Sequence, residues 1–426
     1  MMLSIVFAFL LLLLCLGVPI FVALGLPAVF GVWMEGIPLT IIAQRIFGGL
    51  DRFSLMAMPF FIFAANLMSR GGISERIVKL ANALVGRFFG GTALSTVLAC
   101  MFFGALSGSS PATVVAIGKL AKPLLDESKY ENTFSIGLIM ASSSLAILIP
   151  PSITMIIFAV VTNVSVGQLF LAGIGPGILM GILYMIYAYW YAKRENKRNT
   201  VSVESANIFS TSRNASWALG VPIIIIGGIY GGIFTPTEAA SVSAGYALLI
   251  GAFIYKELNW STIYQISRES AVATAQIMIL IAAASIFSWF LMIQDVQSVI
   301  SVALGWASDA PWLILLLMNL VMLIAGMFID PSSLILILGP LFVPIALQLG
   351  IDPIHMGTIM VSNAAIGMFS PPFGMNIFIA KGSFNAAFTE LVRAAVPFVI
   401  ISIIGLLMIT FVPQISLWLP NIAYGR

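Results

Sequence analysis

Residues 104–113 read GALSGSSPAT and residues 328–333 read FIDPSS; residues 141–152 read ASSSLAILIPPS and residues 362–376 read SNAAIGMFSPPFGMN. Each segment puts helix-ending glycine or proline beside hydroxyl, amide or carboxylate side chains, within an otherwise apolar stretch. Their spacing ties them together. Pro111, Pro123, Pro150-Pro151 and Pro176 are separated by 12, 27 and 25 residues, and Pro331, Pro344, Pro371-Pro372 and Pro397 by 13, 27 and 25. GLIMASSS at 137–144 also matches GTIMVSNA at 357–364. The chain therefore reads as an internal duplication.

The solvent of this chain is lipid. Of its 426 residues 60% are hydrophobic and 8% charged, with a mean hydropathy of +1.09, whereas soluble domains carry roughly 25% charged residues. The net charge of +3 is the mild basic excess of positive-inside loops and does not point to nucleic acid. Cys15 and Cys100 both lie in apolar segments, which disfavours a disulfide framework. His355, in GIDPIHMG and expected in a loop, is the only histidine, which removes most histidine-based catalysis and metal ligation. GALSG has one residue too many for a GxSG nucleophile motif, and Gly118-Lys119 lacks the Ser/Thr of a Walker A loop. No enzyme is expected.

Apolar runs predict spans over 2–34, 53–69, 93–107, 133–162 and 167–192, a polar cytoplasmic linker over 193–216, and further spans near 217–233, 237–255, 271–292, 310–328, 334–349, 355–381 and 393–418. The first repeat covers 1–192 and the second 217–426. A single first span followed by Arg45 and Arg52 places the N-terminus in the periplasm. In 73–88, Ile73, Ile77, Leu80, Leu84 and Phe88 share one helical face, opposite Glu75, Lys79 and Asn82. That pattern fits an arm in the membrane plane or a loop helix packed on the protein. Residues 257–270 read as a weaker second arm.

The four broken segments predict two re-entrant hairpins, about 93–127 and 310–349, and two broken helices, 133–162 and 355–381. A break in lipid frees backbone groups that must find partners. Facing a cavity, such carbonyls can ligate a hard cation, and a half-helix N-terminus can face a carboxylate. The first tip offers Ser107, Ser109, Ser110 and Thr113; the second offers Asp330, Ser332 and Ser333. An isolated intramembrane serine usually packs between helices, but here the clusters recur in both halves. Asp330 reads as a cation ligand or as the cap of the following helix.

Other polar residues carry weaker signals. Asn66, Asn319 and Asn363 are suited to hydrogen bonds between helices, and Glu238 in GGIFTPTEAA to capping. Lys119 and Lys122 read as snorkelling. Lys381 and Arg393, beyond the second break, could meet an anionic solute.

Jointly, GALSGSSPAT, IPPS (149–152), GGIFTPTEAA (231–240), FIDPSS and SPPFGMN (370–376) resemble the large membrane (M) subunit of tripartite ATP-independent periplasmic (TRAP) transporters, over nearly the whole chain. The resemblance implies an all-α polytopic protein of the bacterial inner membrane and an elevator-type transporter. It implies Na⁺-coupled symport of an organic acid of the sialic acid or C4-dicarboxylate class. A small membrane (Q) subunit, separate from this chain, and a periplasmic substrate-binding protein would be its partners. Two Na⁺ sites are implied. One involves Ser107, Gly108, Ser109, Ser110, Ser144 and Pro150; the other involves Asp330, Ser332, Ser333, Gly367, Ser370 and Gly374. Thr113, Ser152, Asn376 and Lys381 are the candidate substrate contacts. The alternative is a stand-alone Na⁺- or H⁺-coupled dicarboxylate or citrate carrier of the same superfamily.

Overall fold

The computed structural model describes residues 2–197, 208–296, 298 and 310–425, with side chains of 208–215 excluded. Helices account for the regular structure among the described residues, and six are long and apolar enough to cross a bilayer.

The chain opens with α1 (Met2–Cys15) and α2 (Ile20–Met34). Gly17 takes φ +72°, Pro19 starts α2, and the two helices fold back on each other, with the rings of Phe9 and Phe30 5.9 Å apart. This corrects the single span expected over 2–34. At ~1.5 Å per residue each helix reaches only about 22 Å, short of a ~30 Å hydrocarbon core. The periplasmic N-terminus rested on one crossing before Arg45 and loses that support.

Next come α3 (Thr40–Leu50), α4 (Ala57–Arg70) and α5 (Ile73–Val85). The arm helix α5 buries Ile73, Ile77 and Leu80 against protein and leaves Leu84 and Phe88 exposed. It packs on α6 (Gly91–Ser107) and on α11 (Ile208–Tyr230). Between them run α7 (Ser110–Glu127), α8 (Asn132–Ser144), α9 (Ile153–Thr162) and α10 (Val166–Arg194). Since α10 runs to Arg194 and α11 begins at Ile208, the polar linker expected over 193–216 is shorter than its composition suggested. Its residues 198–207 lie outside the described residues.

The second half continues with α12 (Pro236–Leu249) and α13 (Trp260–Ile293). A capping box starts α12: Thr235 accepts from the Glu238 N–H, and the Glu238 carboxylate accepts from the Thr235 N–H at 2.8 Å. Ala239, Ala240, Ser243, Ala244 and Ala247 form its buried face, and small residues let helices approach closely in lipid. The weaker arm expected over 257–270 is corrected. From Trp260 those residues form the start of α13, a continuous 34-residue helix without Gly or Pro to break it.

The remaining helices are α14 (Pro311–Gly326), α15 (Pro331–Gln348), α16 (Pro353–Gly367), α17 (Met375–Phe384), α18 (Phe388–Phe411) and α19 (Gln414–Tyr424). The span expected over 393–418 thus divides at Val412-Pro413. His355 is not in a loop: it sits in the first turn of α16, 2% exposed, with Nε2 3.2 Å from the Thr410 carbonyl oxygen. Asn363 donates to Asn319 Oδ1 at 2.6 Å, and Asn66 donates to the Ser270 hydroxyl at 2.8 Å. Both pairs link helices. Tyr184 on α10 meets Ser402 on α18 at 2.6 Å.

Two groups of helices emerge. The hairpins α6–α7 and α14–α15, the broken pairs α8–α9 and α16–α17, and α10 and α18 pack together around Phe103, Phe158, Phe170, Phe369 and Phe398. The helices α1–α5 and α11–α13 pack beside them, joined across the two halves by Arg70–Glu269 at 2.6 Å and Arg76–Glu257 at 3.0 Å. Replacing Thr235 with Ala removes the side-chain half of the α12 capping box. The expected cost is about 1 kcal/mol, read as a lower thermal midpoint of the purified protein, and an unchanged midpoint would contradict the cap's contribution.

Candidate functional site

The first tip is built by backbone geometry. Helix α6 ends at Ser107, and Gly108 reverses the chain at φ +56°. A Cβ on Gly108 would lie 2.4 Å from the Pro151 carbonyl oxygen, so the tip touches the first break only because this residue lacks a side chain. Ser109 caps α7, its Oγ accepting from the Ala112 N–H at 3.5 Å. Thr113 donates to the Ser109 carbonyl at 2.8 Å, and the hydroxyls of Ser107 and Thr113 lie 3.2 Å apart. In the facing break, Ser152 caps α9 by accepting from the Met155 N–H at 3.3 Å and donates to the Ile147 carbonyl at 2.6 Å. Pro150 and Pro151 are buried in this break. Ser144 instead turns to its own helix, donating to the Ala141 carbonyl at 2.8 Å.

The second tip repeats the plan with a carboxylate. Asp330 caps α15: Oδ2 accepts from the N–H groups of Ser332 at 3.0 Å and Ser333 at 3.2 Å, and Oδ1 accepts from the Ser333 hydroxyl. The capping role, one of two readings open in the sequence, is therefore visible, and it engages both carboxylate oxygens. In the second break, Ser370 donates to the Ile366 carbonyl at 2.7 Å, and the N–H of Asn376 donates to the Met368 carbonyl at 2.8 Å. Gly374 starts α17 so close to the preceding loop that a Cβ would meet the Met368 carbonyl oxygen at 2.7 Å. Gly326 and Gly367 touch backbone to backbone; a Cβ on Gly367 would lie 2.6 Å from the Gly326 oxygen.

These contacts sort helix ends by sign. The C-terminal end of α6 meets the stretch just after α8, where a Cβ on Gly104 would approach Ala146 Cα at 2.8 Å. The C-terminal ends of α14 and α16 meet at Gly326 and Gly367. Helix C-termini carry partial negative charge, so each pair favours a cation. The N-terminal turns of α7 and α17 meet instead through Ser110 and Asn376. Ser110 donates to Asn376 Oδ1 at 3.0 Å, while Asn376 Nδ2 lies 2.8 Å from the Ser110 hydroxyl and donates to the Met140 carbonyl at 3.0 Å. Helix N-termini carry partial positive charge and favour an anion.

Two cavities adjoin the second tip and the N-terminal turn of α7. One of about 720 Å³ lies between α7 and the neighbouring scaffold-like helices, lined by Pro111, Lys119, Asn66, Arg70, Glu269 and Ile379 among others. The other, about 360 Å³, is lined by Asp330, Phe328, Met368, Phe373, Phe378 and Ile379. Ile379 belongs to both. The sequence reading missed Arg70, Glu269 and the three phenylalanines, and it assigned Lys119 to snorkelling. A charged residue within an apolar run was the available signal for Arg70 and Lys119. Lys381, by contrast, is exposed at the end of α17 and lines neither cavity. Ser110, Thr113, Ser152 and Asn376 are fully buried.

Among the described residues, a helical bundle with paired hairpins and broken helices is an architecture that secondary transporters use. The chain belongs to the family described as "Tripartite ATP-independent periplasmic transporter, DctM component", which matches residues 7–415. It is 41% identical over 383 residues to the C4-dicarboxylate TRAP transporter large permease protein DctM of Pseudomonas aeruginosa, covering 89% of each chain. It is 39% identical to the ectoine/5-hydroxyectoine large permease UehC of Ruegeria pomeroyi, covering 99% of each. The isethionate permease DctMQ of Oleidesulfovibrio alaskensis is 40% identical over 98% of this chain, which spans 66% of that longer protein. The crystal structure of the Alcanivorax borkumensis YdaH transporter shares the fold, with a TM-score of 0.64, 16% identity, and coverage of 91% of this chain and 88% of that one.

Gly108→Ala is expected to push the first tip off Pro151 and force φ strain on a non-glycine residue. A cost of about 1–3 kcal/mol follows, measurable as a lower thermal midpoint. A wild-type midpoint would show that the tip has room the contact distance denies.

Proposed function

We propose that this chain is the translocating subunit for Na⁺-coupled uptake of a small organic acid across the bacterial inner membrane. The single observation that carries the proposal is the sorting of helix ends: two meeting points with negative character and one with positive character, with cavities beside the second negative point and the positive one. Na⁺ would occupy the two negative points. The first would be bounded by the Ser107–Ser110 tip and the Ser144–Pro150 break. The second would be bounded by Asp330, Ser332, Ser333 and the break from Gly367 through Ser370 to Gly374. Backbone carbonyls and hydroxyls suit this hard cation, and among the described residues no cluster of three His, Cys, Asp or Glu offers a competing site for a transition metal.

A carboxylate would bind near the N-terminal turns of α7 and α17, where Thr113, Ser152 and Asn376 lie nearby in sequence or contact. The relatives' names speak of C4-dicarboxylate, ectoine and isethionate; a small acid of the dicarboxylate class is the reading closest to them, with sialic acid the larger candidate. Movement of the hairpin group past the scaffold helices, an elevator step, would alternate access. Membership of a tripartite family supports a small membrane subunit and a periplasmic substrate-binding protein as partners.

The test is uptake by proteoliposomes holding both membrane subunits, with binding protein and candidate acids supplied outside. Uptake should require binding protein and an inward Na⁺ gradient; uptake by this chain alone would favour a stand-alone carrier. Asp330→Asn separates the two roles of that residue, because Asn caps a helix about as well as Asp. The variant should keep its thermal midpoint yet need roughly tenfold more Na⁺ for half-maximal uptake. Unaltered Na⁺ dependence would leave Asp330 as a cap alone.

A further inference from the structure

A third cavity, of about 500 Å³, lies away from the tips, between α3, α13 and the C-terminal end of α9. Its lining includes Gln44, Arg45, Arg52, Ser288, Trp289 and Asn163. The Arg45 guanidinium stacks over the Trp289 ring, 4.8 Å from its centroid. Arg52 donates to the Val160 carbonyl oxygen at 3.0 Å and to Asn163 Oδ1, capping the C-terminal end of α9. Among the described residues neither guanidinium has a carboxylate within 4.0 Å. Among the described residues, two cations thus share a cavity whose lining supplies no anion.

The surroundings indicate where the anion comes from. Phe47 is 72% exposed and Phe53 67% exposed, in the same stretch of chain as Arg45 and Arg52. Exposed phenylalanine rings suit contact with acyl chains, and arginines in the same stretch suit the headgroup level just above them. Helix α3 is short and amphipathic, with its charged and polar residues grouped at Gln44 and Arg45, as an element lying in that interface would be. Guanidinium pairs bind phosphate oxygens through charge-assisted, often bidentate hydrogen bonds.

We propose that this cavity binds the phosphate of an anionic phospholipid headgroup, with Arg45 and Arg52 as its ligands. The lipid would bridge α3 and α13 to the end of a half-helix, because Arg52 already holds that end. A soluble phosphate or organic anion shares the chemistry but lacks the acyl chains that the exposed Phe47 and Phe53 would contact.

Native mass spectrometry of the full chain, alone and with its small membrane partner, tests the proposal. Phosphatidylglycerol, phosphatidylcholine and glycerol 3-phosphate are titrated separately. Phosphatidylglycerol should be retained in preference to the other two, in both assemblies. Arg45→Gln, at an exposed position, should weaken that retention about tenfold, Arg45→Lys should restore part of it, and Arg87→Gln outside the cavity should change nothing. Thermal midpoints equal to wild type confirm that the variants are folded. Equal retention of phosphatidylcholine, unchanged retention in Arg45→Gln, or displacement of the lipid by the partner would each overturn the proposal. Tight binding of glycerol 3-phosphate would reassign the cavity to a soluble anion. Since binding is read without uptake, the outcome is independent of the transport reading.

Discussion

A backbone N–H or C=O in hydrocarbon has no water to turn to, so each interruption of a helix must be closed by groups inside the protein. That requirement organises the molecule. Ser109, Ser152 and Asp330 close three of the half-helix starts with side-chain oxygens, and the Gly374 turn closes the fourth by folding back on the Met368 and Ser370 carbonyls. The same residues that interrupt the helices therefore also satisfy what the interruption exposes. Had the breaks been scattered, each would need separate burial. Their pairing, tip against break, lets one wall of protein cover two defects.

Close approach is the second half of the argument. At Gly108 and Gly367 a single methyl group would overlap backbone oxygen or carbon of the facing segment, and at Gly326 it would press on the Gly367 Cα at 3.3 Å. Dispersion falls steeply with distance, so contacts of this kind hold the tips where hydrophobic driving force is weak. Glycine here serves packing and, at Gly108, also a left-handed turn.

Much of this was legible in the sequence, for a physical reason. Proline and glycine act locally, so their spacing located the tips and breaks to within a few residues. Capping is also local: the T-x-x-E at Thr235 and Glu238 reads directly as a capping box. The N-terminal hairpin was not legible because lipid-facing and protein-facing helices have the same apolar composition, and Gly17 and Pro19 could as well have marked a kink. The weaker arm predicted over 257–270 fails differently: its polar face suggests a separate amphipathic element, although no glycine or proline separates it from the apolar run that follows. Asp330 was ambiguous in principle, since a cap and a cation ligand call for the same residue at the same place. Which charges would meet across the cavities, such as Arg70 with Glu269, depends on residues 199 positions apart and is a tertiary fact.

The bridge between Ser110 and Asn376 has one more consequence. The serine comes from the tip of the first repeat and the amide from the break of the second, and both are wholly buried. Neither repeat can satisfy its own polar group there. Folded alone, each half would leave an orphaned hydroxyl or amide in a dry interior. The smallest self-sufficient unit is therefore the pair. If the two repeats descend from one shorter chain, that ancestor had to work as a dimer, with each copy completing the other.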